Sequence, residues 1–110
     1  MYNQGDIVVV KFPFTDASEF KKRPALVVSN SKVNRTKDYL LVQITSKQHK
    51  DNLSIAIDAN SCLQSLPLKS YVRTHKLFTV HHSLILSKIT QTKHQFLKLV
   101  VEKIGEGMEV

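Results

Sequence analysis

The sequence predicts a mainly β domain with short helices, a small curled sheet or barrel closed by one C-terminal amphipathic helix. Three observations carry this. Short β-branched and aromatic runs follow one another closely from Ile7 to Val80. They do not alternate with helical segments, which argues against a parallel α/β sheet. Only the last stretch, where Phe96, Leu97, Val100, Val101 and Ile104 recur, has helical period.

Gly5-Asp6 opens the fold, and Ile7 to Phe12 is the first strand, ended by Pro13. Val8, Val10 and Phe12 share one of its faces. Phe14 to Lys22 is polar and reads as a loop. Pro24 to Ser29 is the second strand, with proline at its start because proline cannot donate to a ladder. Ser31 to Lys37 is a polar connection. Tyr39 to Thr45 is the third strand, with Leu40, Val42 and Ile44 on one face and Gln43 and Thr45 on the other. A charged loop, Lys47 to Asn52, leads to a strand at Leu53 to Ile57. Asp58 to Lys69 is irregular. Tyr71 to Thr74 and Lys76 to Val80 form one bent strand or two. Ser83 to Ile89 fits a short helix or a strand equally. Thr92 with Gln95 makes a capping box for the last helix, and Gly105 is its expected stop.

At 110 residues the chain is expected to be one domain, 1–110, large enough to bury a core without a disulfide or metal staple. Its single cysteine, Cys62, has no internal partner. The run Ile7 to Val10 is too short for a signal core, and no stretch approaches the length needed to span a bilayer, so a cytoplasmic protein is expected. The net charge of +7 favours a polyanionic partner. The histidines at 49, 75, 81, 82 and 94 lack metal-ligand spacing, and the carboxylates fall in separate segments. No metal or other cofactor is therefore expected, which argues against a two-metal nuclease.

Polar residues at strand ends are the candidate chemistry. Arg23 enters the second strand, and its planar, always charged guanidinium grips phosphate oxygens through two parallel hydrogen bonds. Thr45 and Ser46 end the third strand with hydroxyls that hydrogen-bond a phosphate or a leaving oxygen. Phe14 and Phe20 lie in one loop with Lys21 and Lys22, the mixture on which single-stranded bases stack. Glu19 precedes Arg23, and His75 follows Arg73. Either Glu19 or His75 is placed to take a proton.

These segments, in order, resemble the PemK/MazF-like toxins of type II toxin–antitoxin systems. The matching residues are Gly5 to Val10 with Phe12 to Asp16, then Arg23 to Asn30, then Gln43-Ile44-Thr45-Ser46, then Ser70 to Thr79. The resemblance runs to about Ile89. It implies an SH3-like barrel of the PemK/MazF/CcdB type, usually a homodimer, acting as a metal-independent endoribonuclease on single-stranded mRNA. It implies catalytic roles for Arg23 and Thr45 and an RNA-holding role for the loop Thr15 to Lys22. Together with the strand-end pattern, it puts Phe14, Glu19, Lys21, Lys22, Gln43, Ser46, Arg73 and His75 forward as RNA contacts. It also implies an acidic antitoxin protein as partner. The chain departs from the family in two places. The loop before the arginine reads Asp16-Ala17-Ser18-Glu19-Phe20-Lys21-Lys22, without the usual glycines, and Lys88-Ile89 is followed by Thr90.

The chemistry so implied is attack of a 2′-hydroxyl on the adjacent phosphorus, with Arg23 holding the developing charge and Thr45 donating to a phosphate oxygen. Two rivals use the same barrel: a CcdB-like gyrase poison, and a non-catalytic SH3-like module that binds RNA or DNA.

Overall fold

The computed structural model describes residues 1–12 and 21–110. Six antiparallel strands form one sheet: β1 (Asp6–Phe12), β2 (Lys21–Val27), β3 (Asp38–Thr45), β4 (Ser54–Ile57), β5 (Ser70–His81) and β6 (Ile85–Gln91). Their order is β4-β5-β3-β2-β1-β6. Helix α1 (Ser31–Asn34) joins β2 to β3, and α2 (His94–Glu106) closes the chain. The mainly β expectation with a late helix holds. The segment after β4 bridges the two ends of the sheet: Cys62 pairs with Thr92, and the Leu63 amide donates to Gln91 O at 2.9 Å. A contact between the two ends of a six-stranded sheet requires the sheet to curl.

Alternation sorts the apolar residues onto two faces. Ile7, Leu26, Val42, Ile44 and Val72 lie on the face covered by α2, which contributes Phe96 and Val100. Val8, Val10, Phe12, Ala25, Val27, Tyr39, Leu41 and Val80 make a second cluster on the opposite face. Burying each large side chain stabilises the fold by roughly 1.5–3 kcal/mol. The two clusters are therefore what specifies register, since a one-residue slip would exchange the faces of a strand.

Several details differ from expectation. The connection Ser31 to Lys37 contains α1, because the Asn30 side chain accepts from the Lys32 amide at 3.0 Å and caps it. Asn34 is buried and bonds Ser29 through both side chain and backbone. β5 is one continuous strand, bent where two steps along β3 (Val42 to Ile44) are matched by five along β5 (Leu77 to Val72). Ser83 to Ile89 resolves into a 3-10 turn at His82–Leu84 and then β6.

The capping box does not form. Lys93 is the N-cap of α2 and makes no side-chain cap bond. The Thr92 hydroxyl instead donates to Gly5 O at 2.9 Å, and the Thr92 amide does so at 2.8 Å. Gly5 sits at φ +96°, a conformation that side chains rarely adopt, and this bend delivers its carbonyl to Thr92. At the other end, α2 runs through Gly105 and is capped at Gly107.

Candidate active site

On the second face, three neighbouring strands turn polar at one end. β2 runs Val27, Ala25, Arg23 along that face, and β3 runs Tyr39, Leu41, Gln43, Thr45. β5 runs Val80, Phe78, Lys76. The β2–β3 ladder ends with Ala25 paired to Gln43. Two residues further along each strand stand Arg23 and Thr45. The fold thus brings the two expected catalytic residues to the same end of the same face.

Arg23 is exposed, and among the described residues no carboxylate pairs with it. Its guanidinium is available to an anion. Thr45 is half-buried, its backbone paired with Tyr71. Its hydroxyl oxygen accepts from the Lys47 amide at 3.1 Å. That bond fixes the oxygen and leaves the hydroxyl proton to donate outward, as a group aimed at a phosphate oxygen must. Arg23 also lines an open groove of about 370 Å³ with Phe12, Gln43, Lys76, Leu77 and Phe78.

The other expected contacts are scattered. Phe14 and Glu19 lie outside the described residues. Lys21 and Lys22 are exposed at the start of β2, opposite Phe12 and Lys11, so they extend the positive rim beside Arg23. Ser46 is exposed just past β3. Gln43 lines the Arg23 groove. His75 lines a neighbouring groove against the end of α2, with Leu77 shared between the two.

Arg73 is placed differently from an RNA contact. It is 6 % exposed. Its guanidinium donates to both carboxylate oxygens of Asp51 at 2.9 Å and to Ser54 Oγ at 2.8 Å. Its Nη2 also stands 3.5 Å from His75 Nε2. The bidentate bond raises the Arg73 pKa and holds the Asp51 carboxyl below the usual carboxylate range. Arg73 therefore fastens the β3–β4 loop to β5. The Leu53 carbonyl reinforces this by accepting from the Thr74 amide at 2.9 Å and hydroxyl at 3.0 Å.

Sequence reasoning passed over Lys76 and Phe78 as groove residues. The signal was present: at period two they continue the inward face of β5 beyond Val80. Asp51 was passed over as well, since nothing local points to a partner 22 residues away. Among the described residues no cluster of histidine, cysteine and carboxylate side chains could hold a metal. Among the same residues no helix is long and apolar enough to cross a membrane.

Several solved structures share this fold. An endoribonuclease from a mycobacterial species, in complex with its cognate antitoxin, superposes with a TM-score of 0.79 at 17% identity, covering 98% of this chain and 95% of that one. MazF in the MazE–MazF complex of Deinococcus radiodurans matches with a TM-score of 0.80 at 20% identity, covering 97% and 95%. The Mycobacterium tuberculosis toxin MazF-mt6 matches at 0.73 and 18% identity, covering 94% and 95%. At such identities the likeness is one of fold. No curated protein sequence matches. The family model for PemK-like, MazF-like toxins of type II toxin–antitoxin systems matches residues 3–107, and the chain belongs to that family.

Proposed function

We propose that this toxin is a sequence-specific endoribonuclease that cuts single-stranded mRNA in the cytoplasm without a metal. One observation carries the reading: Arg23 and Thr45 stand together at the polar end of an otherwise apolar sheet face, with no carboxylate pairing Arg23 among the described residues. The family and the endoribonuclease activity named for its structural relatives support it.

In the reaction, the 2′-oxygen of the upstream nucleotide forms a bond to the adjacent phosphorus as the bond to the 5′-oxygen of the next nucleotide breaks. The products are a 2′,3′-cyclic phosphate and a 5′-hydroxyl. Arg23 holds the negative charge that builds on the non-bridging oxygens, and the Thr45 hydroxyl donates to one of them. Arginine keeps its proton at neutral pH, so it acts as a clamp and the proton goes elsewhere. Glu19 and His75 are the acceptors the sequence offers. Lys21 and Lys22 draw the strand toward the clamp.

The same reading makes the protein a homodimer with an acidic antitoxin as partner. An acidic chain competes with RNA for one positive rim. The test is incubation of purified protein with a long single-stranded RNA, with and without EDTA, followed by mapping of the cut ends. Cuts bearing 2′,3′-cyclic phosphates, unchanged by EDTA, are expected. RNA bound but never cut would make the protein a non-catalytic module. Loss of cutting on chelation would make it a metal nuclease.

A further inference from the structure

We propose that the groove beside Arg23 is a nucleobase subsite, in which one unpaired base of the RNA stacks on Phe78 while Gln43 reads its hydrogen-bonding edge. The inference rests on the proposed function and deepens it by locating sequence preference.

Each wall of the groove suits a base. Phe78 is half-buried, and its ring stands 4.7 Å from that of Phe12, tilted by 53°. Phe12 is buried and braces it, so Phe78 is held as a fixed aromatic surface. A stacking platform of this kind accepts any base, because every base has a π-face. Discrimination then falls to Gln43. Its side chain is half-buried in the groove, and its amide has no hydrogen-bond partner among the described residues. A glutamine amide offers a donor and an acceptor side by side, and it pairs with a base edge showing the complementary pattern. Ala25 pairs with Gln43, so Arg23 is its diagonal neighbour on one face, about 7–8 Å away. That separation suits one nucleotide, with its phosphate at Arg23 and its base edge at Gln43. Lys76, exposed at the groove's edge, adds positive charge for the backbone. An acidic peptide would use the two cations but would leave the aromatic face and the amide without a role.

The experiment maps cleavage sites of the wild type, Phe78→Leu and Gln43→Glu in a random-sequence RNA pool. Phe78→Leu keeps the apolar volume and loses the stacking surface, so KM is expected to rise about tenfold or more with the base preference retained. Gln43→Glu leaves acceptors only, so preference at a single position of the motif is expected to move toward bases that present donors. An unchanged motif in Gln43→Glu, or an unchanged KM in Phe78→Leu, overturns the subsite while the nuclease reading stands. If the wild type cuts no RNA, the nuclease reading fails, and binding of short single-stranded oligonucleotides decides the subsite. Equal affinity of wild type and Phe78→Leu then overturns it. So does an effect of either variant confined to the binding of an acidic peptide.

Discussion

Arg23→Ala separates chemistry from stability more cleanly than any other substitution here. Arg23 is exposed, follows two other exposed cations on β2, and pairs with no carboxylate among the described residues. Its removal creates no cavity and strands no buried partner, so folding stability should change by no more than about 0.5 kcal/mol. Its expected role in the reaction is to stabilise charge present only in the transition state. Removing one such preorganised donor typically lowers kcat by about 10²–10³, or roughly 2.7–4 kcal/mol. Arg23→Lys should fall between, because lysine keeps the charge and loses the two-pronged geometry. The assay is single-turnover cleavage of an end-labelled RNA with enzyme in excess, beside thermal unfolding and gel filtration of each variant. A kcat within about threefold of wild type in a folded Arg23→Ala protein would refute the assignment. A large loss of melting temperature would show instead that Arg23 supports the fold.

Substitutions at four other positions test the frame around it. Thr45→Ser should retain cleavage to within several-fold, whereas Thr45→Val should lose on the order of a hundredfold, since only the hydroxyl matters to the phosphate. The valine variant also strands the Lys47 amide, costing about 0.5–1.5 kcal/mol by chemical denaturation. Asp51→Ala should destabilise more than Arg73→Met. The first leaves a guanidinium 7 % exposed without its counter-charge, and the second leaves a carboxylate that is 40 % exposed and still hydrated. Because Arg73 depresses the Asp51 pKa, that stabilisation is fully present above the unfolded value of about 3.9 and is lost as pH falls through the folded one. Melting temperature should therefore fall less steeply on acidification below about pH 4 in Asp51→Asn than in wild type. Gly5→Ala places a Cβ at positive φ, 3.1 Å from Thr92 Oγ1 and 3.2 Å from Leu97 Cδ2, and should cost about 1–3 kcal/mol in urea unfolding.

The strands were legible because alternation is local. Val8, Val10 and Phe12 declare a buried face within five residues, and Leu40, Val42 and Ile44 declare another. The placement of the candidate site was legible for the same reason: the face of β3 that holds Tyr39 and Leu41 turns polar at Gln43, and the face of β2 turns polar at Arg23. What stayed hidden depends on partners distant in sequence. Thr92 has the right chemistry and spacing for a helix cap, yet Gly5 offers it a carbonyl from the far end of the chain, which its hydroxyl and its amide both hold, and the helix starts one residue later with Lys93 as its N-cap. Arg73 has the composition of a surface cation, and only folding shows that Asp51 and Ser54 enclose it.

The Arg73 and Arg23 environments carry the contrast one step further. Both arginines lie in strands beside residues expected to touch RNA. One is anchored by a carboxylate across a loop, and the other meets no carboxylate among the described residues. A guanidinium already held bidentately by a carboxylate only exchanges one anion for another when it meets phosphate. A solvated guanidinium gives up only water. Phosphate binding should therefore concentrate at Arg23, while Arg73 holds the loop that follows Thr45 and Ser46. On this reading the position of the phosphate is set less by how many cations the chain carries than by which of them has no counter-charge among the described residues.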